Sequence, residues 1–121
     1  MQMIEGGCFC GFIRYTADGA PTNETNCHCS ICRRVSGAPF VAWATVPVAT
    51  FRFLSGTPSS FRSSDHGTRT FCPHCGTPLT FRSAHFPDEI DVTNLLPCAA
   101  RPPTPQGSHP HKFEVAVGRT R

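Results

Sequence analysis

The strongest local signal in this chain is Cys72-Pro73-His74-Cys75-Gly76, which has the form of a metal-binding knuckle. In such a Cys-x-x-Cys turn both sulfurs face one ion, the proline stiffens the turn, and the glycine allows the positive φ that brings backbone N–H groups toward the thiolates. The alternative is a redox dithiol of the thioredoxin kind, which needs a βαβ setting that this sequence lacks. The motif therefore favours a metal knuckle.

A second pair of cysteines, Cys8 and Cys10, lies near the start of the chain. A knuckle supplies two ligands, whereas a structural zinc site takes four. In a flat strand, side chains at i and i+2 lie about 6.6 Å apart, whereas two sulfurs on one tetrahedral zinc lie about 3.7 Å apart. We therefore expect the backbone to bend at this pair, with freedom supplied by the neighbouring glycines. The predicted closed structural zinc site consists of Cys8, Cys10, Cys72 and Cys75.

Three further cysteines, Cys27, Cys29 and Cys32, fall within one short segment. Three thiolates can wrap one zinc ion and leave its fourth position open, as catalytic zinc sites do. The alternative is a second closed site completed by His28, Cys98 or another residue. His28 lies between two ligands, where its ring is expected to point away, and Cys98 lies in a Pro-rich segment, where a spare thiol is expected. From the spacing alone, both alternatives stay open.

Composition favours an all-β, mainly antiparallel fold of small sheets held around metal. The 121 residues are enough for one domain, and 10 Phe, 12 Pro and 10 Gly favour short strands and turns over long helices. Residues 20–26 are predicted to be a polar turn, and residues 27–37 a loop that can include one helical turn. The predicted strands cover residues 9–16, 40–46, 51–54, 61–63, 68–71, 79–82, 89–93 and 113–117.

Charge and cysteine usage predict the partners and the compartment. The formal net charge of +3 comes from scattered arginines with no basic stripe of interleaved aromatics, so nucleic acid is not an expected partner. No apolar stretch approaches the roughly 18 residues that would span a bilayer, and the N-terminus does not read as a signal peptide. Eight cysteines in close clusters point to metal binding in a reducing cytoplasm.

Three motifs in this order resemble the glutathione-dependent formaldehyde-activating enzyme family, which also includes centromere protein V-like proteins: GGCFCGFIRY (6–15), CHCSICRRVSGAPF (27–40) and FCPHCGTPL (71–79). The resemblance implies an Mss4-like fold of antiparallel sheets around a structural zinc. It also implies that Cys27, Cys29 and Cys32 are catalytic residues that hold a second, labile zinc. The activity it implies is that of a carbon–sulfur lyase, which joins formaldehyde to glutathione as S-hydroxymethylglutathione or reverses that step.

The resemblance also suggests residues for binding a small thiol adduct. Arg33 and Arg34 follow the last cysteine ligand and are candidates for holding a glutathione carboxylate, since the guanidinium grips carboxylates through two hydrogen bonds. Surface charge or a structural ion pair is the alternative for each arginine. Ser36 and Gly37 close the same loop and are candidates for lining the pocket.

A second function also fits the family likeness: a non-catalytic zinc-binding module for protein or nucleic-acid interaction.

The predicted domain division has one boundary. Residues 1–96 are predicted to form the zinc domain. Residues 97–121 are predicted to be a divergent, Pro-rich C-terminal segment with a possible last strand, because the chain there lacks the Leu-Asp pair, the His-Ile pair and the late Trp of the family pattern.

Overall fold

Two antiparallel sheets form most of the protein. The computed structural model describes residues 3–93 and 95–96. Its elements in chain order are β1 (Met3–Gly7), β2 (Arg14–Asp18), β3 (Thr22–Cys27), α1 (Ser30–Ser36), β4 (Val41–Pro47), a short 3-10 turn (Val48–Thr50), β5 (Arg52–Ser55), β6 (Ser59–Arg62), β7 (Gly67–Phe71), β8 (Pro78–Ser83), β9 (Glu89–Val92) and β10 (Leu95–Leu96). The four-stranded sheet has the order β10-β1-β2-β5, and the six-stranded sheet has the order β3-β4-β9-β8-β7-β6. The predicted all-β, mainly antiparallel class is confirmed.

Most predicted strands appear within a residue or two of their expected bounds, but the N-terminal third differs. The strand expected over residues 9–16 begins only at Arg14, because residues 8–13 form a tight loop in which Cys8 N–H donates to the carbonyl of Ile13. The polar segment expected to turn at residues 20–26 instead forms β3, an edge strand that pairs only with β4 among the described strands. Its exposed polar side chains give no apolar alternation, so the sequence carries little strand signal there.

One face of the six-stranded sheet packs into the main core, and the other face points away from that core. Along β4, Ala44 and Val46 point into the main core, where they pack with residues of both sheets. The alternating side chains Trp43 and Thr45 lie on the opposite face, since successive side chains of a strand point to opposite sides. This core consists of Ile4, Tyr15, Ala17, Ala44, Val46, Ile90 and Val92.

Some of the sequence-based predictions concern residues at the end of the chain. The possible last strand at 113–117, Cys98 and the predicted C-terminal segment 97–121 all fall outside the described residues. Within residues 3–93 and 95–96, no helix has the length and apolar character needed to cross a membrane.

The turn between β5 and β6 depends on Gly56, which has φ +75°. A Cβ at this position would overlap the carbonyl oxygen of Phe12, so both the backbone angle and the space require glycine. Gly19 has φ +102° but no neighbouring atom that a Cβ would meet, which makes it a matched control.

We expect Gly56→Ala to destabilise the protein more than Gly19→Ala does. Positive φ costs an alanine about 1–2 kcal/mol at either site, and overlap at Gly56 adds about 1–3 kcal/mol. Urea unfolding of the metal-replete protein measures both losses. Equal losses would show that the turn does not pack against Phe12 in solution.

Candidate metal centres and the adjoining cavity

Four cysteines from two distant parts of the chain meet at one point. The Sγ atoms of Cys8 and Cys10 lie 3.6 Å apart, and those of Cys10 and Cys72 lie 3.7 Å apart. Together with Cys75, these ligand atoms all lie within 4.8 Å of one another. The separations agree with the roughly 3.7 Å expected for sulfurs on one tetrahedral zinc. The residues therefore fit a closed, four-sulfur metal site.

Local backbone geometry explains how the two cysteine pairs are formed. Between β1 and β2, Gly11 at φ +84° donates its N–H to the carbonyl of Cys8, so the chain bends where a strand would separate the sulfurs. Between β7 and β8, Gly76 at φ +84° donates its N–H to the carbonyl of Cys72 at 2.8 Å and closes the knuckle. Both bends were expected from the motif glycines.

Backbone N–H groups point at the sulfurs of this site. Ile13 N–H donates to Cys8 Sγ at 3.3 Å, and the N–H groups of His74 and Cys75 donate to Cys72 Sγ at 3.3 and 3.4 Å. Such bonds stabilise negative charge on sulfur. Because Cys8 and Cys72 are also buried, this cluster is closed to solvent on its inner side.

The other three cysteines form a second cluster around the start of α1. Cys27 ends β3, Cys29 is the residue before the helix, and Cys32 is buried in it. Their sulfurs lie within 4.8 Å of one another. The N–H of Cys32 donates to Cys29 Sγ at 3.3 Å, and this backbone hydrogen bond lowers the pKa of Cys29 to about 7. Three thiols whose sulfurs lie this close together fit a second metal ion.

His28 does not join this cluster. Its Nδ1 lies 3.1 Å from the carbonyl oxygen of Asn26, and its ring lies against Phe40 with centroids 5.1 Å apart. The expectation that the His28 ring points away is therefore confirmed. Cys98, the other proposed fourth ligand, lies outside the described residues. Among residues 3–93 the cluster has three metal-binding side chains.

A cavity of about 610 Å³ opens beside the three-cysteine cluster, a volume in the range of small-molecule sites. Cys29 is exposed and Cys27 half-buried, so the sulfurs face an accessible space. The cavity is lined by Asn23, Thr25, Cys27, Cys29, Ile31, Cys32, Trp43, Thr45, Ser63, Ser64, His66, Arg69, Phe81, Ser83, His85, Phe86, Glu89 and Asp91.

The floor of the cavity is one row of side chains across the six-stranded sheet. Thr45 pairs with Asp91, Asp91 with Phe81, and Phe81 with Arg69, on four successive strands. Directly paired residues in antiparallel strands share a face. Within this row, Thr45 Oγ1 donates to Asp91 Oδ1 at 2.7 Å. Burial raises the pKa of Asp91, while this hydrogen bond opposes the rise.

Arg69 is the residue of this site that sequence reasoning missed. It is 6% exposed, and its Nη2 lies 3.6 Å from Cys32 Sγ. In the sequence it is one of several scattered arginines, and it lies in a threonine-rich strand, Gly67–Phe71, with no motif around it. The sequence offered no signal for its burial, because its neighbours Thr68 and Thr70 are polar and an arginine in such a strand is usually exposed.

The residues predicted to bind substrate lie outside this cavity. Arg34 borders a neighbouring cavity of about 490 Å³, which Arg69 also borders. Ser36 Oγ donates to the carbonyl of Cys32 at 2.8 Å, and Gly37 ends α1 at φ +68° with its N–H on the carbonyl of Arg33. The substrate-binding role of these four residues stays a prediction.

Comparisons with known proteins bear on the family and on the fold of this chain. The chain matches the family model described as glutathione-dependent formaldehyde-activating enzyme over residues 3–107. A curated relative from Schizosaccharomyces pombe, named as an uncharacterized lyase, is 31% identical over 81 residues. That match covers 67% of this chain and 58% of the relative, so the chain spans little more than half of the relative's length.

A crystal structure of a Rhodobacter sphaeroides protein is also similar, with a TM-score of 0.62 and 23% identity. The similarity covers 74% of this chain and 83% of the other. At that identity the likeness shows the fold alone.

We expect the purified chain to bind two metal ions, of which a mild chelator removes one first. The labile ion is the one at the three-cysteine cluster, because this cluster has fewer ligands and Cys29 is exposed. Elemental analysis of the protein before and after brief chelation measures the loss of metal. A single tightly held ion, with Cys27, Cys29 and Cys32 freely alkylated in the metal-replete protein, would refute the two-site arrangement.

The two clusters should also differ in their effect on folding. Cys72→Ala is expected to unfold the protein, since structural zinc contributes roughly 10 kcal/mol or more against a typical domain stability of about 5–15 kcal/mol. Cys29→Ala is expected to release one ion and keep the fold. Far-UV circular dichroism and metal content of the two variants test this difference. Unfolding of both variants would contradict the division of roles.

Proposed function

The chain belongs to the glutathione-dependent formaldehyde-activating enzyme family, and from this membership we propose that it is a zinc-dependent carbon–sulfur lyase. Its proposed substrate is a small thiol adduct such as S-hydroxymethylglutathione. The observation that carries the proposal is the position of Cys27, Cys29 and Cys32, which share one point and face a cavity large enough for a small molecule.

Zinc is the proposed metal at both clusters. Thiolate sulfurs favour soft or borderline metals, and a four-sulfur tetrahedral set is typical of zinc. A zinc ion with three protein ligands supplies Lewis-acid chemistry, which lowers the pKa of a thiol and polarises an oxygen. Cys27, Cys29 and Cys32 are proposed to hold that ion.

The reaction itself breaks one bond and moves one proton. In the lyase direction the carbon–sulfur bond of the adduct breaks, its electron pair goes to sulfur, and the hydroxyl group loses its proton as the formaldehyde carbonyl forms. The reverse direction forms the same bond from a thiolate and formaldehyde. The side chains of this chain have to hold the adduct, favour the charge that develops on sulfur, and leave a path for the proton to water. The cavity is open to solvent on the side of exposed His66 and His85.

Two kinds of side chain in the cavity suit a peptide-like thiol. The rings of Trp43 and Phe81, with centroids 6.2 Å apart, give an apolar surface for the methylene groups. Asn23 and Thr25 on β3 provide polar groups on the same side as Cys27, because alternate residues of a strand share a face. Arg33 and Arg34 remain proposed contacts for a substrate carboxylate that extends beyond the cavity.

We expect the protein to change the rate of exchange between glutathione, formaldehyde and their adduct, and Cys29→Ala to abolish the change. Exchange NMR at equilibrium measures the rate in both directions without a coupled assay. Cys98→Ala makes the same chemical change at the cysteine that the sequence leaves as a spare thiol, and it should retain the activity.

Equal exchange rates with and without metal-replete protein would refute the lyase proposal. They would favour the second function, a zinc-binding module without turnover. Loss of activity in Cys98→Ala as well would instead point to a closed second site completed by that residue.

A further inference from the structure

Arg69 is a buried cation held on several sides. Its Nε donates to Ser63 Oγ at 2.8 Å, and its Nη2 donates to Cys32 Sγ at 3.6 Å. Its Cζ lies 4.9 Å from the ring centroid of Phe81 and 5.8 Å from that of Trp43. Guanidinium groups are stabilised over aromatic faces in this way. The side chain is therefore fixed with its charge at the three-cysteine cluster.

This arginine has no carboxylate partner in the part of the chain that the structure describes. The ion pair found there joins Arg14 to Glu5 on the other sheet. Two carboxylates line the same cavity, but Asp91 accepts a hydrogen bond from Thr45, and Glu89 is exposed. A buried charge without compensation is costly. The group that Arg69 contacts instead is the sulfur of Cys32, so thiolates holding a metal at this cluster would supply its counter-charge.

The charges around the cluster limit what the cavity can accept. Three thiolates around one divalent ion leave a net negative charge, so an incoming anion would add a second negative charge in a partly desolvated space. The guanidinium of Arg69 offsets the first negative charge. Arg69 also lines the cavity, so a ligand can approach both it and the sulfurs.

We infer that Arg69 is a positioning residue that compensates the negative charge of the three-cysteine cluster. As a result, the cavity favours a thiol that binds as its thiolate over a ligand that binds without charge. The inference rests on the proposed function, in which the substrate is a thiol. It concerns the form in which the thiol binds. Arg69 acts here on the sulfur and does not need a carboxylate on the ligand.

Cobalt-loaded protein provides a direct test of this preference, since sulfur-to-cobalt charge-transfer absorption changes when a ligand joins the cluster. The probes are 2-mercaptoethanol, a thiol without a carboxylate, and imidazole, a neutral ligand. The variants are Arg69→Gln, which keeps hydrogen-bond donors but loses the charge, and Arg69→Lys, which keeps the charge. Arg82→Gln is the matched control, because Arg82 is exposed and donates to the carbonyl of Pro87 away from the cavity.

We expect Arg69→Gln to weaken 2-mercaptoethanol binding at least about tenfold, as an adjacent opposite charge typically favours an ionised form by 10-fold or more. Imidazole binding should change by less than about threefold, because that ligand brings no charge. Arg69→Lys should recover most of the thiol affinity, and Arg82→Gln should bind both probes like the original protein.

Three outcomes would overturn the inference. Equal weakening of both probes would show that Arg69 supports only the shape of the cavity, and unchanged thiol binding would show that its charge is not used. Loss of the second cobalt ion from Arg69→Lys and Arg69→Gln alike would show that charge is not what matters. The titration needs no turnover, so a protein that binds the thiol through Arg69 but fails the exchange assay would refute the lyase proposal and leave this inference standing.

Discussion

The four sulfurs of Cys8, Cys10, Cys72 and Cys75 join the two sheets of this protein at one point. Cys8 and Cys10 lie in the loop between two strands of the four-stranded sheet, and Cys72 and Cys75 lie in the knuckle between two strands of the six-stranded sheet. A small apolar cluster that includes Ile13 and Leu79 packs around them. A structural metal held by these four sulfurs would cross-link the two sheets and contribute directly to the folding free energy of a domain with so modest a core.

The same four-cysteine cluster lies next to the strands that carry the cavity. The knuckle connects β7 to β8, and these strands place Arg69 beside Phe81 on the face away from the main core. The three-cysteine cluster approaches this face from the end of β3 and the start of α1. The four-cysteine cluster thus lies at the end of two strands of the floor, while the second cluster occupies an accessible edge of the cavity. This difference in exposure between the two clusters supports the proposed structural role of one and reactive role of the other.

Electrostatics links the second cluster to the sheet beneath it. The sulfur of Cys32 accepts a hydrogen bond from the guanidinium of Arg69, and the sulfur of Cys29 accepts one from a backbone N–H of the helix. The cluster therefore has hydrogen-bond donors from two different elements. On the same row of the sheet, Asp91 is hydrogen-bonded by Thr45 and lies two strands away from Arg69. The cavity therefore has a cationic side at the sulfurs and an acidic side across the floor. This asymmetry favours a ligand that brings its negative charge to the sulfur end.

Composition predicts the all-β class, and spacing predicts the grouping of the seven cysteines, because glycine-flanked Cys-x-Cys and Cys-x-x-Cys segments restrict the local backbone enough to bring pairs of sulfurs together. The sequence by itself did not determine β3, whose polar side chains become an edge strand only through pairing with β4. It also did not determine Arg69, which is far in sequence from Cys32 and meets it only through the register of β7 in the sheet. Local spacing thus predicts which residues hold metal, whereas non-local strand pairing decides which charges and rings surround it.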